Sequence, residues 1–373
     1  MKISITKIWL SSVKVFVLWI ITLVKLFSQS PEINGQISAW GTFYNEDETK
    51  LNGGIRFIPE FNLTKEISDE SFLDFNFSIN SYLYKTETSF DKKIDLYRLK
   101  FRYATSQSEL RIGLQKINFG PARILRSLRW FDSVDPTDPL KLTNGVYAFR
   151  YKYNFLNNSE IWFWVLYGND ELRGNDLITS DKKTPEFGGR FSYPLFNGEF
   201  AATFNQRKAR FNNIDVNETR FALDGRFEIE AGFWFESVIT KFEKNKFVYN
   251  WQNSVTIGSD YTFDIGNGLM FTAEHQLNRF AEDFSSGGNS INTTAMSAAY
   301  AFGLIDNFSG FLFYNWNIRQ FYQTFQWNRV YDNYILNFNF YRYPETTSGL
   351  VTDKNQNITR AGYGFQFTLI FNF

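Results

Sequence analysis

The sequence predicts an all-β fold, a transmembrane antiparallel β-barrel of about 18 strands, with 16 as the lower count. Three observations carry this expectation. Apolar and polar residues alternate at period two up to the last residue, aromatic side chains make up 20% of the chain, and short connections tend to alternate with long polar ones. Beyond residue 30, no apolar run approaches the roughly 20 residues that a helix needs to span a bilayer.

Alternation is clearest in the last strand. Tyr363, Phe365, Phe367, Leu369, Phe371 and Phe373 share one parity, and Gly362, Gly364, Gln366, Thr368 and Asn372 share the other. A period of two gives a strand one apolar face and one polar face. In a soluble sandwich the Gly and polar face would be the outer one, beside a chain end that stops in mid-pattern. A closed barrel in lipid explains both faces, because a spanning strand needs only about 9–11 residues and closure pairs every backbone group. The aromatic load of Phe 43, Tyr 20 and Trp 10 fits half-buried strands and interfacial girdles. A mean hydropathy of -0.32 argues against a bundle of spanning helices and suits strands whose alternate residues meet water.

Strand-like segments fall near 33–44, 51–63, 71–85, 93–106, 108–120, 144–155, 159–168, 186–194 and 198–209. A second set lies near 218–229, 231–242, 249–264, 268–280, 293–303, 307–317, 321–330, 333–344 and 360–373. Connections at 156–158, 196–197, 230 and 266–267 are tight, whereas 121–143, 169–185, 281–292 and 345–359 are long. With the mature N-terminus on the periplasmic side, the short ones are periplasmic turns and the long ones external loops.

Residues 1–30 have the order of a secretory signal: Lys2, Lys7 and Lys14, an apolar stretch Val15–Val24, then Ser28-Gln29-Ser30. Lys14 and Lys25 bracket an apolar run too short for a permanent anchor. Cleavage is expected near 28–30, leaving a domain over 31–373. The chain's 39 basic and 39 acidic residues become 35 (39 − 4) against 39 once those four lysines are removed, a balance that gives no case for nucleic acid. Without Cys there is no disulfide, thiolate nucleophile or Cys-ligated metal. A single histidine, His275, rules out multi-His metal sites, and no cofactor is expected.

The ending FQFTLIFNF resembles the terminal assembly signal of Gram-negative outer-membrane barrels. That resemblance implies that Phe373, with Phe371 and Leu369, is read by the barrel assembly machinery, and it places the chain in outer-membrane lipid. The run RIGLQKINFG at 111–120, followed by Asp135-Pro136-Thr137-Asp138-Pro139 and Gly145, resembles a strand-plus-loop signature of porin-like and alginate-export-like barrels. It covers about a tenth of the chain. The likeness implies that the third external loop, 121–143, folds into the lumen and narrows it.

Parity assigns candidate pore-lining residues. Arg98, Lys100 and Arg102 oppose Leu99, Phe101 and Tyr103, while Arg150 and Lys152 oppose Tyr147, Phe149, Tyr151 and Tyr153. Arg111 lies on the strand between them. Arg or Lys on the lipid face costs roughly 2–4 kcal/mol at the midplane, so these six are expected in the lumen as a basic wall. By the same parity Asp224, Glu228, Asp260 and Glu274 line the pore further on, and the constriction loop adds Arg123, Arg126, Arg129, Asp132, Asp135 and Asp138. Facing walls of opposite charge would set a transverse field, as in ion-selective channels; equally, the charges would pair with one another and fill a wet interior.

His275 invites an outer-membrane phospholipase reading, but Glu274-His275-Gln276-Leu277 lacks a serine two residues on, and a lone strand histidine is more often a packing or interface residue. The expected function is therefore non-enzymatic: passive diffusion of small hydrophilic solutes, anions favoured. The alternative is a non-conducting structural, adhesive or assembly barrel whose loops bind a partner. The sequence leaves the oligomeric state and the natural solute open.

Overall fold

The computed structural model describes residues 31–45, 49–132, 140, 142–244, 246–285, 287–344 and 362–373. The expected signal at 1–30 lies outside the described residues. The first strands are β1 (Glu32–Asn45), β2 (Thr49–Ser68), β3 (Ser71–Lys85), β4 (Phe90–Thr105), β5 (Ser108–Gln115) and β6 (Val146–Asn154). They continue as β7 (Glu160–Leu166), β8 (Thr179–Ser180), β9 (Glu186–Leu195), β10 (Gly198–Phe211), β11 (Ile214–Ile229), β12 (Ala231–Phe242) and β13 (Trp251–Phe263). Completing the set are β14 (Leu269–Ala281), β15 (Asn289–Phe302), β16 (Asp306–Asn315), β17 (Gln320–Val330), β18 (Tyr334–Tyr343) and β19 (Gly362–Asn372).

All pairings are antiparallel, strands adjacent in the chain pair with one another everywhere except around β8, and β1 pairs with β19 to close the ring. β8 is a two-residue bridge to β10 within the β7–β9 connection, while β7 pairs directly with β9. The 19 strands therefore make a closed barrel of 18 (19 − 1). Closure leaves no edge strand to satisfy. No described residue is helical.

Parity sorts the two faces. Phe43, Ile55, Phe221, Ile257, Phe325 and Leu369 project outward and stay exposed, which for a water-soluble surface would be an aggregation hazard and for a lipid-facing one is the requirement. Tight turns use the left-handed backbone that short hairpins need: Asn212 and Asn213 (φ 49 and 64) join β10 to β11 as a two-residue loop. This corrects the expectation of a connection near 210–217, because charged residues there (Arg210, Asp215) hide continuous strand. β5 also ends at Gln115 rather than near 120, since Ile117 and Phe119 leave the wall and are buried inside.

The closing seam explains the terminal aromatic. Phe373 exchanges backbone hydrogen bonds with Gly35 (3.0 Å each way), and its ring stacks near Phe57 with centroids 6.1 Å apart. A Cβ at Gly35 would meet the Phe373 ring at 2.5 Å, so glycine there makes the seat for the ring. Replacing Phe373 by Asp should reduce the heat-modifiable folded protein in outer-membrane fractions about tenfold, while Asn372→Asp, on the inward face, should leave it within twofold. Equal levels of the two variants would refute a special role for the terminal ring.

Candidate functional site

The lumen holds loop as well as water space. After β5 the chain turns inward, and residues 117–132 cross to the opposite wall. Two carboxylates on that wall hold it. Glu236 of β12 accepts the backbone N–H groups of Ala122 (3.0 Å) and Leu128 (2.8 Å). Glu274 of β14 accepts those of Arg123 (2.7 Å), Ile124 (3.0 Å) and Leu125, and the indole of Trp234 (3.0 Å). An irregular segment has no ladder for its backbone donors, so side-chain acceptors must replace one. Close approach is enabled by Gly120 (φ +93), where a Cβ would meet Glu236 Oε1 at 2.4 Å. Ser127 adds hydroxyl contacts to Ser254 (2.7 Å) and Thr256 (2.8 Å).

The apolar half of the same loop packs against the near wall. Phe119, Leu128, Trp130 and Phe131 form one buried cluster with Trp164 and Leu166 of β7, and Phe119 stacks on Trp164 with centroids 5.6 Å apart. A second loop, 167–185, also folds inside, which nothing in the sequence reading anticipated. Asn175 donates to the carbonyl of Arg126 (2.7 Å), and Gly174 N donates to Asp132 O (2.7 Å), so this loop caps the first.

A buried ionic cluster fixes the second loop. Arg207 of β10 pairs with Glu218 (2.7 Å) and with Asp176 of the loop (2.6 Å), and Arg220 of β11 also reaches Asp176 (2.6 Å). Arg173 binds Glu186 of β9 (2.7 Å). All six side chains are at most 7% exposed, and their formal charges cancel, three arginines against three carboxylates.

The expected basic residues of β4–β6 all face inward as one lattice. Arg102, Arg111 and Arg150 lie side by side in register. Glu109 sits among them, contacting Arg111 (2.7 Å), Arg150 and Arg102 (3.5 Å), while Arg102 also reaches Asp74 (2.7 Å through Nε). Lys152 pairs with Glu160 (2.7 Å). Arg98 donates to Thr143 O (2.9 Å), holding the returning limb of the first loop. Lys100 has no ion pair among the described residues. Six cations against Asp74, Glu109 and Glu160 leave a surplus of +3 (6 − 3).

The acidic residues do not form a free opposing wall. Asp224 is closed off by a two-pronged pair with Arg190 (2.6 and 2.8 Å), and Glu274 is sealed beneath the first loop. Asp260 is engaged by Arg123 and Glu228 by Arg226 (2.6 Å) at the turn end of the barrel. Parity correctly puts these side chains on the inner face but cannot show what covers them. Within the loop, Arg126 lies 3.6 Å from Asp132, whose carboxyl is pushed above the ordinary carboxylate range by burial. Arg129 reaches Asn175 at 3.5 Å. Asp135 and Asp138 lie outside the described residues. His275 faces outward, with Nδ1 2.9 Å from Thr294 Oγ1. Glu236 and the ionic cluster were missed by sequence reasoning; the available signal was a carboxylate at inward parity between Trp234 and Val238.

Comparison with solved structures follows the same architecture. The chain is similar to the anion-selective porin from Comamonas acidovorans (TM-score 0.55, 12% identity, 92% of this chain and 99% of that one). It is also similar to OccK5 (OpdH) of Pseudomonas aeruginosa (TM-score 0.56, 10% identity, 91% and 98%). OccAB3 of Acinetobacter baumannii gives a TM-score of 0.56 at 10% identity, covering 92% and 99%. No protein-family model matches the sequence, and no curated protein does. At such identities the likeness is one of fold.

Proposed function

Because the chain has the closed β-barrel fold of outer-membrane porins, we propose that it is a Gram-negative outer-membrane channel for passive diffusion of small hydrophilic solutes, with anions preferred. The observation that carries this reading is the asymmetric lumen. Inward side chains of β10–β14 such as Asn205, Glu218, Glu236, Thr256 and Glu274 are almost wholly covered by the two loops, whereas Lys100, Arg102, Arg111 and Lys152 keep part of their surface open. The free side of the lumen thus carries surplus positive charge, and a low-dielectric wall focuses its field on passing solutes.

Purified protein in a planar bilayer tests the reading directly: discrete conducting steps with a reversal potential favouring anions are expected. Lys100→Gln removes a wall cation that has no ion pair among the described residues and leaves the ion pairs of Arg102, Arg111, Arg150 and Lys152 in place. It should lower the anion-to-cation permeability ratio about twofold at 0.1 M salt and have little effect at 1 M, where the screening length falls from about 10 Å to about 3 Å. A ratio unmoved at low salt would assign the wall to structural filling. The second reading, a non-conducting barrel with partner-binding loops, draws on how much of the lumen the two loops occupy; correctly folded barrels without conducting steps would favour it.

A further inference from the structure

Closure removes edges from the ring itself, but the rim that bears the long loops is stepped. β5 pairs with β4 only over Leu99–Ala104, because the chain leaves the wall after Gln115. Above that row β4 continues from Arg98 up to Phe90 with β3 as its one strand partner among the described residues. Leu99 shares its row with Leu114 and Tyr147, and the exposed rings of Tyr147 and Tyr167 mark the aromatic girdle at the top of the lipid face. Phe90–Leu96 therefore rises beyond the bilayer, about 20 Å of strand at roughly 3.3 Å per residue.

One flank of this step is sealed and the other is bare. β10 outruns β9 beyond Gln206, and there β8 covers it, pairing Ser180 with Ala209 and Thr179 with Arg210, while Asp181 N donates to Lys208 O (2.9 Å). On β4 no backbone hydrogen bond reaches the side of Phe90–Leu96 away from β3 among the described residues. In an antiparallel strand every second residue turns its N–H and C=O to that side, so a ladder stands open. The segment is also held ready. Thr86 closes the hairpin tip, its N–H donating to Ser89 O and its Oγ1 accepting the N–H of Ser89 (2.9 Å each), and a bulge at Tyr97 bends the upper segment away from the ring below.

Bare edges are ordinarily guarded by proline or by lysines that repel an incoming strand. Phe90–Leu96 has no proline, and Lys92 and Lys93 are balanced by Asp91 and Asp95, a net charge of 0 (2 − 2). Charge here selects a strand rather than repelling every strand. Register puts Asp91, Lys93 and Asp95 on the face of Tyr84, Tyr82 and Asn80, where Lys93 and Asp95 pair at 2.8 Å, and puts Phe90, Ile94 and Leu96 on the other face with Lys92. A second copy of this chain matches poorly. Two copies upright in one membrane would join with the charged face of one edge running on into the apolar face of the other.

We propose that Phe90–Leu96 is a docking edge for an extended segment of another protein at the cell surface, added to β4 as an antiparallel strand. That segment carries a base, an acid and a base opposite Asp95, Lys93 and Asp91, and apolar side chains opposite Leu96, Ile94 and Phe90. Main-chain hydrogen bonds supply its affinity, and the cross-strand charges set its sequence. The inference is separate from solute passage and holds whether or not the barrel conducts.

The probe is a fluorescein-labelled peptide, Val-Lys-Val-Glu-Thr-Lys-Val, titrated to about 1 mM against the folded full-length protein in detergent and read by anisotropy. Saturable binding is expected, with binding at least fivefold weaker for the charge-reversed Val-Glu-Val-Lys-Thr-Glu-Val. A variant combining Asp91→Lys, Lys93→Glu and Asp95→Lys keeps the pair between the last two positions with its sign reversed. It should exchange the two preferences, with heat modifiability checking that it is folded. Two further probes, one N-methylated at its second, fourth and sixth residues and one at its third and fifth, separate strand addition from charge attraction. One set of amides points at β4 and the other at solvent, so one probe should lose binding and the other keep it. Absence of saturable binding, an unchanged preference in the triple variant, or equal behaviour of the two methylated probes overturns the proposal.

Discussion

Replacing Glu236 and Glu274 together by alanine is expected to raise single-channel conductance at least twofold and to make the current noisy, with the barrel still folded. The two carboxylates accept five backbone N–H groups of the inward loop, those of Ala122, Leu128, Arg123, Ile124 and Leu125. Hydrogen bonds to a charged partner contribute about 1.5–3 kcal/mol each, and a buried donor left without an acceptor costs about 1–3 kcal/mol. Even with strong non-additivity, losing five such bonds exceeds the few kcal/mol by which one loop position is ordinarily favoured over another. The apolar anchors Phe119, Trp130 and Phe131 remain on Trp164, so the loop should stay tethered to its own side and swing off the far wall. Glu→Gln at both sites keeps an acceptor oxygen and should fall between wild type and the alanine pair. Unchanged conductance and noise in a heat-modifiable, folded Ala/Ala variant would show that the loop is held by its apolar half alone.

Much of the barrel was legible because its determinants are local and repetitive. The run from Tyr363 to Phe373 states its two faces without any long-range knowledge, and the same parity placed Arg98 through Lys152 on the inner wall. Parity ends there. Whether an inward carboxylate meets water, an arginine or a loop depends on residues far away in sequence: Glu274 is about 150 residues from the amides it holds. The opposed acidic wall failed for this reason, since Asp224 and Asp260 are neutralised by Arg190 and Arg123. The inward fold of the first loop was suggested only by family likeness. The second loop gave no such cue, because its Arg173 and Asp176 look like ordinary loop charges until Arg207 and Arg220 are placed beneath them.

That buried cluster supports the last and largest expectation for stability. Arg207→Met should lower resistance to denaturant by about 3–5 kcal/mol, the usual cost of removing one partner from a buried ion pair. The variant would leave Asp176 and Glu218 facing each other with Arg220 alone between them, converting a cluster with no net charge into one with a buried surplus of −1. One relief is to expel Asp176, and with it the loop 167–185. Since Asn175 holds the carbonyl of Arg126, the first loop loosens as well. Trypsin should then cut after Lys182 or Lys183 in reconstituted vesicles at least ten times faster than in wild type. Pairing Arg207→Met with Glu218→Gln restores the charge balance and should recover part of the stability and most of the protease resistance. If the single variant unfolds at the wild-type denaturant midpoint and is cut no faster, the cluster is not what keeps the second loop inside the barrel.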